Sequence, residues 1–369
     1  LVLLTSIKTK LKLTWEQKVL MSKHAGISRF TYNWGLATWN ALYNEGYKPN
    51  HLMLKKFFNN EVKPVIPWLK EKGICQKITE FAFENLGKAF QRFFDKKASY
   101  PRFKKKGRHN SFTINSGGKP MAVGGTSLKL PTIGRVSTYE GLPHTTTKSF
   151  TLSQKAGDWY ISFSYEIESE ITEKQHDYVG VDLGIKTLAT LSTGVVFVNP
   201  KALKQAQSKL NRLQRQLQHK VKGSNRRNRQ KLRIAKAHQR VTNIRLDATH
   251  KATSFICKNH AVVAIEDLNS SGMMHNHKLA AAVGDANFYE FSRQIEYKAT
   301  RYGSKVVLVD RWYPSTQLCS NCGFKQPMKL SDRVYSCQEC GYTTDRDLNA
   351  ARNLKKYARM ASPCLDVEG

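Results

Sequence analysis

Two cysteine pairs, Cys319-Ser-Asn-Cys322 and Cys337-Gln-Glu-Cys340, stand 14 residues apart, and each is followed by a glycine, Gly323 or Gly341. Two-residue spacing lets both thiolates of a pair reach one ion while backbone N–H groups satisfy the sulfurs. The glycine permits the tight turn that follows. Zinc favours four such ligands in a tetrahedron at about 2.3 Å, and with no open position the site is structural. An iron site of the same ligand set, or free thiols, are the alternatives. The other cysteines, Cys75, Cys257 and Cys364, have no partner at useful spacing and read as unbonded core or surface residues.

Three carboxylates carry the second chemical signal. Asp182 lies in Val-Gly-Val-Asp-Leu-Gly, among strand-forming residues, where a buried lone charge is costly without a partner. Glu266 follows the apolar run Val262–Ile265, and Asp347 lies in Thr-Asp-Arg-Asp-Leu-Asn-Ala-Ala, a helix start just after the second cysteine pair. Each sits at an element end from which its side chain could face a common cleft. Hard oxygen ligands of this kind hold Mg²⁺, which keeps waters and substrate phosphate in its shell. Two ions about 3.5–4 Å apart would clamp the attacking and leaving oxygens of a phosphodiester. Spacing alone leaves other roles open. Asp345 or Asp347 could be a helix N-cap, Asp267 could replace Glu266 as the residue that matters or start a helix itself, and Asp182 could close a turn with Gly184.

The cations set the class of partner. The chain has 369 residues with 60 Lys plus Arg against 28 Asp plus Glu, a formal charge of +32. Charge of that size calls for a polyanion, nucleic acid before an anionic membrane. In Tyr100–His109, Arg102, Lys104, Lys105, Lys106, Arg108 and His109 interleave with Tyr100, Pro101 and Phe103. Aromatics can stack on bases while such cations hold phosphates. From 201 to 250 there are 15 Lys or Arg, including Arg226, Arg227 and Arg229, and one acid, Asp247. A solvated helix face usually mixes signs, so a face of one sign fits a phosphate backbone better.

A membrane role fits poorly, because no apolar run approaches the ~20 residues of a spanning helix. Leu1–Leu4 lacks the basic start and long apolar stretch of a signal peptide, and a start at Leu rather than Met implies numbering after processing or trimming. A late cluster of four among seven cysteines points to a reducing compartment and a metal site rather than a disulfide framework. The expected location is inside the cell.

The elements that must position these residues can be sketched. Residues 2–13 read as a strand, and Thr14-Trp-Glu-Gln17 as a capping box opening a helical region to about Asp95. Its core would hold Phe30, Trp34, Trp39, Leu42, Phe81, Leu86, Phe90 and Phe93. Residues 111–167 read as short strands between glycine-rich turns, a small barrel or sandwich that the first strand could complete. The helical block would then be an insertion in a β domain. After a polar linker (168–176), strands at Tyr178–Leu183, Thr187–Ser192, Val195–Asn199, Val262–Ile265 and Lys305–Asp310 alternate with helices, an α/β half. Gly223-Ser224 splits the basic region into a helical hairpin.

Taken together, Tyr32-Asn33-Trp34, Tyr100-Pro101-Arg102-Phe103-Lys104, Val179-Gly180-Val181-Asp182-Leu183-Gly184, Ile265-Glu266-Asp267-Leu268-Asn269, the two C-x-x-C-G pairs and Asp345-Arg346-Asp347-Leu348-Asn349-Ala350-Ala351 resemble the TnpB family. These are transposon-encoded RNA-guided nucleases related to the type V CRISPR effectors. The pieces occur in the family's order and span nearly the whole chain. The resemblance implies a multidomain α+β fold. Its parts are an N-terminal β-barrel wedge domain (1–13 and 100–168) with an inserted helical recognition domain (14–99), and a C-terminal RuvC-like, RNase H-like nuclease domain (177–315). The nuclease domain is interrupted by a zinc ribbon (316–343) and completed by a third-motif helix (344–362), with a tail at 363–369. It selects Asp182, Glu266 and Asp347 as catalytic Mg²⁺ ligands, the last two over Asp267 and Asp345, and assigns Arg333 to positioning the scissile phosphate.

The resemblance further implies partners and a reaction. The protein is expected to bind a structured transposon-end transcript (omega RNA) whose 3′ segment is the guide, one protein per RNA. It recognises a short motif beside the target in double-stranded DNA and cleaves by metal-assisted hydrolysis, with water as nucleophile. Two Mg²⁺ and one structural Zn²⁺ are the expected ions. The implied location is the bacterial cytoplasm, with nucleoid association when on DNA. Rival readings are a guided DNA-binding protein without cleavage, an RNA-independent transposase or DNA-binding accessory protein, and a structural zinc-ribbon RNA-binding protein. The intact carboxylate set argues against the first.

Overall fold

The computed structural model describes residues 2–362 apart from Lys72, His109, Gly118 and Leu330. The expected tail at 363–369, with Cys364, lies outside the described residues, as does His109 of the basic stretch. The chain divides into two compact units, one from Leu4 to Ile167 and one from Glu168 onwards that also takes in Val2 and Leu3 at the start of the first strand.

In the first unit, β1 (Val2–Lys12) alternates burial along its length. Thr14 then caps α1 (Trp15–Asn44): its hydroxyl accepts from the Gln17 N–H, and the Gln17 side chain accepts from the Thr14 N–H. This reciprocal pair satisfies two donors that a helix start leaves open. Asn50 caps α2 (His51–Phe57), which runs into a π turn at Phe58–Val62. α3 (Ile78–Phe94) packs on α1, with Trp39 stacked on Phe90 at 3.8 Å between ring centroids. Five strands follow: β2 (Ser111–Ile114), β3 (Met121–Leu130), β4 (Gly134–Thr147), β5 (Phe150–Lys155) and β6 (Asp158–Glu168). They form one six-stranded sheet in the order β2-β5-β6-β1-β4-β3. β1, from before the helices, lies inside that sheet, so the helical block leaves one sheet and returns to it. Phe112, Phe150 and Trp159 of the sheet share a single core with Phe58, Phe83 and Phe90 of the helical block.

The second unit opens with β7 (His176–Leu183), β8 (Thr187–Leu191) and β9 (Val196–Val198). α4 (Ala202–Gln218) and α5 (Asn225–Asn259) then pack as a hairpin, with the turn at the expected Gly223-Ser224 and the Ser224 hydroxyl capping α5. β10 (His260–Glu266), α6 (Ser270–Met273), α7 (Ala280–Ala286), α8 (Phe288–Tyr302) and β11 (Lys305–Val309) follow. The small hairpin β12 (Val334–Ser336) and β13 (Thr343–Asp345) leads into α9 (Arg346–Ala361). The main sheet has the order β11-β10-β7-β8-β9; the first three strands are parallel, and β8 and β9 are antiparallel to their neighbours. The fold is a mixed α+β one. Among the described residues, no helix is long and apolar enough to cross a membrane.

The two faces of this sheet differ. Val179, Val181, Val263 and Ile265 pack with Ala252 and Ile256 of α5 and with Phe291, Ile295 and Ala299 of α8. The alternate residues Tyr178, Val262 and Ala264 pack with Leu354 and Ala358 of α9. Successive strand side chains point to opposite faces. Gly180 and Asp182 of β7 and Glu266 of β10 therefore share the α9 face. At Gly180 the helix comes so close that a Cβ would lie 1.9 Å from the Ala351 carbonyl oxygen and 2.5 Å from the Lys355 nitrogen. Both are backbone atoms of α9, so no side-chain rotation relieves the clash.

Gly180→Ala should therefore destabilise the chain by about 1–3 kcal/mol or more, as overpacking does. Gly284→Ala, a helical position with nothing within 4 Å of the added carbon, should be neutral or stabilising. Urea unfolding of the two variants checks this, and equal midpoints would contradict the packing.

Candidate active site

Asp182 lies near the end of β7 on the α9 face. Val181 of β7 pairs with Ile265 of the parallel β10, so the same register sets Glu266 beside Asp182. Both carboxylates thus stand at the C-terminal ends of adjacent parallel strands, the end at which open sheets of this kind place their ligands. Asp347 comes from the first turn of α9. There the two candidate acids divide their roles. Asp345 is the cap, its Oδ1 accepting the N–H groups of Asp347 (2.9 Å) and Leu348 (3.0 Å). Asp347 is left with its carboxyl turned to the Arg346 guanidinium, at 2.9 Å from Nη2 and 3.1 Å from Nε. Arg346 also donates to the Asp332 carbonyl at 3.0 Å. Asp267, the rival of Glu266, is exposed and ion-paired with Arg311.

The three acids feel one another. Burial pushes the Asp182 carboxyl well above the usual carboxylate range, and the charges of Glu266 and then Asp347 push it further, against Arg346. Burial also raises Glu266, while a hydrogen bond from the Ser315 hydroxyl opposes that rise. Carboxylates gathered in a partly desolvated place favour a cation or a proton. They are not packed as tightly as the cysteines. Among the described residues, the four cysteine sulfurs are the only set of three or more such ligand atoms that all lie within 4.8 Å of one another.

The cysteine geometry is that of a closed site. Cys319 Sγ is 3.7 Å from Cys340 Sγ, and Cys322 Sγ is 3.6 Å from Cys337 Sγ. A tetrahedron with 2.3 Å arms has edges of about 3.8 Å. The N–H groups of Asn321 and Cys340 point at Cys319 Sγ and Cys337 Sγ. Gly323 and Gly341 have positive φ (83° and 69°) and return their N–H groups to the carbonyls of Cys319 and Cys337. The Tyr342 backbone N–H, aided by Asn321 and neighbouring thiols, draws the Cys340 thiol down to about 6. Cys322 is driven up to about 12: the Phe324 N–H favours its thiolate, but burial and the other thiols outweigh it. Four thiols so close cannot all ionise without a cation among them.

Buried asparagines tie this cluster to α9. Asn349 Nδ2 donates to the Leu318 carbonyl (2.7 Å), and Asn349 Oδ1 accepts from the Ser320 N–H (2.9 Å). One turn on, Asn353 Nδ2 donates to the carbonyls of Ser315 (2.8 Å) and Leu318 (2.7 Å). Sequence reasoning gave none of Gly180, Ser315, Arg346, Asn349 and Asn353 a role. Four lie in or beside the motifs named above; Ser315 carries no local signal.

The residues expected to touch nucleic acid divide. Arg102, Phe103, Lys105, Lys106, Arg226, Arg229 and Arg333 are exposed. Tyr100 is exposed as well but pinned, its hydroxyl donating to Asn40 at 2.6 Å and its ring set edge-on to Phe90 and Phe93. Lys104 lies over the Tyr32 ring at 3.9 Å, and burial draws its ammonium down to about 8. Its backbone N–H and C=O are both bonded to the Asn33 side chain. The Tyr32-Asn33-Trp34 motif therefore fastens this loop to α1. Arg227 turns inward and donates to the carbonyls of Leu217 and Lys220 at the end of α4. The free thiols of Cys75 and Cys257 are buried.

Residues 162–277 match the family OrfB_IS605, described as "Probable transposase". Residues 288–354 match a "Cas12f1-like, TNB domain" and residues 3–48 a "Helix-turn-helix domain". The protein named "Putative RNA-guided DNA endonuclease InsQ" of Escherichia coli K12 is 35% identical over 98% of this chain and 94% of its own length. The chain belongs to the TnpB family. A second relative, from Streptomyces pristinaespiralis, is named "Putative RNA-guided DNA endonuclease" and is 33% identical over 96% of this chain and 89% of its own. A solved structure of the mini-RNA-guided endonuclease CRISPR-Cas_phi3 is 9% identical, covers 96% of this chain and 92% of that one, and has a TM-score of 0.49. In this TnpB chain the first match contains Asp182 and Glu266, and the second contains the four cysteines and Asp347. The span matched to a helix-turn-helix holds β1 and one unbroken helix, α1.

The electrostatics of Asp182 make a stability prediction. An acid whose folded pKa is raised binds its proton more tightly in the folded state. Its unfavourable contribution is absent below the ordinary value, grows as pH rises, and is full above the raised value. Asp182→Asn should therefore unfold at higher urea than the parent at pH 8 without added divalent ions. The gap should close as pH falls toward about 4. A less stable variant at pH 8 would contradict the placement.

Proposed function

We propose that this TnpB-family chain is an RNA-guided DNA endonuclease. One observation carries the reading: the strand register sets Glu266 beside Asp182 on the sheet face that α9 covers, and the first turn of α9 carries Asp347, so acids 84 and 165 residues away in sequence gather at the end of a central strand. Three carboxylates converging at strand ends under a closing helix are what a RuvC-type, RNase H-like centre needs. The names of relatives matched over nearly the whole chain support the same activity.

Asp182, Glu266 and Asp347 would hold divalent ions, Mg²⁺ by the hardness of their oxygens. Bound there, Mg²⁺ supplies water activation near neutral pH and charge neutralisation at the phosphorane-like transition state. The chain's own part is geometric. β7 and β10 fix two acids side by side, α9 brings the third, and Arg346 restrains Asp347. Arg333, whose carbonyl accepts the Arg346 N–H (2.9 Å), is exposed beside them, in line with a role on the scissile phosphate. Cys319, Cys322, Cys337 and Cys340 fit one Zn²⁺ with no open position, which makes it structural.

The first unit would serve as the wedge and recognition domains and read the short duplex motif, while guide pairing reads the rest of the target. The basic hairpin suits the backbone of the omega RNA or its heteroduplex with DNA. Arg226, Arg229, Arg233, Lys236 and Arg240 are exposed at spacings of three and four on α5, a stripe of roughly 21 Å at 1.5 Å per residue. Such a track neutralises successive phosphates without reading sequence.

Asp182→Ala separates cleavage from binding. With RNA bound and a matching duplex present, it should abolish divalent-dependent cutting and leave RNA-dependent DNA binding nearly unchanged in a gel-shift titration. Equal loss of both would sink the catalytic assignment.

A further inference from the structure

Ser315 is almost fully enclosed, 3% exposed, yet it belongs to the connection between β11 and the first cysteine pair, where a serine is ordinarily solvated. Its hydroxyl is not idle there, because it donates to Glu266 Oε1. The backbone around it is held as firmly. The Ser315 N–H donates to the Tyr313 carbonyl at 2.8 Å. Its own carbonyl accepts from Asn353, which is 2% exposed. Asn353 and Asn349 together grip Leu318, the residue before Cys319. α9, which carries both asparagines, also carries Asp347. A chain of bonds thus runs from the cysteine cluster through Leu318 and Asn353 to Ser315, and from Ser315 to Glu266.

We propose that Ser315 is a positioning residue for the carboxylate centre: its hydroxyl holds Glu266 Oε1, fixes the side-chain rotamer and leaves Oε2 as the oxygen that would take a divalent ion. This deepens the divalent-metal reading above and rests on it. A glutamate has three side-chain torsions, so one at a strand end samples several rotamers unless something ties it. A single donor on one oxygen removes that freedom and leaves the other oxygen as ligand. Partners of this kind to a metal-bound carboxylate orient it, and removing one typically weakens the ion by about 10–100-fold. The arrangement also gives the cysteine cluster a role beyond its own fold. By anchoring Leu318 and the segment before it, the cluster keeps the serine in register with the acid 49 residues earlier.

The test is Mn²⁺ binding to the full chain, read by electron paramagnetic resonance, with no cleavage step involved. Ser315→Ala should weaken Mn²⁺ binding roughly tenfold at unchanged zinc content and unfolding temperature. Ser315→Thr, which keeps the hydroxyl, should restore it. Asp182→Ala serves as the control and should lose the ion. If Asp182→Ala loses Mn²⁺ while Ser315→Ala binds like the parent, the positioning role is overturned and the metal reading stands. If Asp182→Ala itself binds like the parent, the metal reading fails, and the proposal with it. An Ala variant that weakens only along with zinc content and unfolding temperature, or a Thr variant as weak as Ala, marks general loosening and also overturns it.

Discussion

The contact between α9 and β7 at Gly180 is the constraint on which the second unit's chemistry depends. A helix that meets a strand backbone to backbone, with no side chain between, sits closer than ordinary helix-on-sheet packing allows. That closeness sets Asp347 over the strand end that carries Asp182, whose register neighbour on β10 is Glu266. Tyr178, Val262, Ala264, Leu354 and Ala358 supply the apolar burial that holds the helix down. The cost of burying Asp182 and gathering two further acids around it is visible in its raised carboxyl. Strong packing on both faces of the sheet offsets that cost, which a bound cation would relieve.

The cysteine cluster belongs to the same construction. It closes a small hairpin that has little core of its own, built on Tyr335 with Met328 and Tyr342 packed around it. Four ligands on one ion would do for this segment what a large core does elsewhere. Its asparagine ties to α9 make its rigidity useful to the carboxylates. The cysteine cluster and the three carboxylates are thus parts of one frame, soft sulfur donors in one and hard oxygen donors in the other.

Much of this was legible in the sequence, for identifiable reasons. Ligand spacing in C-x-x-C-G is a local property, so the cluster and its glycine turns followed from it directly. The acids were legible as types at element ends, but the choice between neighbours turned on facing. Asp345 spends its carboxyl on two helix N–H groups of its own motif, a cap that the spacing offered equally to Asp347, and Asp267 faces Arg311, 44 residues on. Gly180 stood inside a recognisable motif without a role, because its meaning lies in a helix about 170 residues later. Ser315 was silent for the same reason. The cations were the least legible. Composition cannot distinguish Arg229, exposed on α5, from Arg227, which closes the end of α4, or from Lys104, laid over Tyr32. A basic run says that a polyanion is near, and only the fold says which charges reach it.

In the proposed reading, the charge of +32 answers to a guide RNA as well as to DNA. A protein acting on duplex DNA alone has less polyanion to neutralise than one that also carries an RNA. The most direct test of that claim is to purify the protein from cells carrying its native locus and sequence the RNA that comes with it. A single discrete RNA ending in a variable 3′ segment is the predicted result. Heterogeneous RNA with no common species would contradict the account and assign the charge to non-specific binding by an RNA-independent DNA-processing protein.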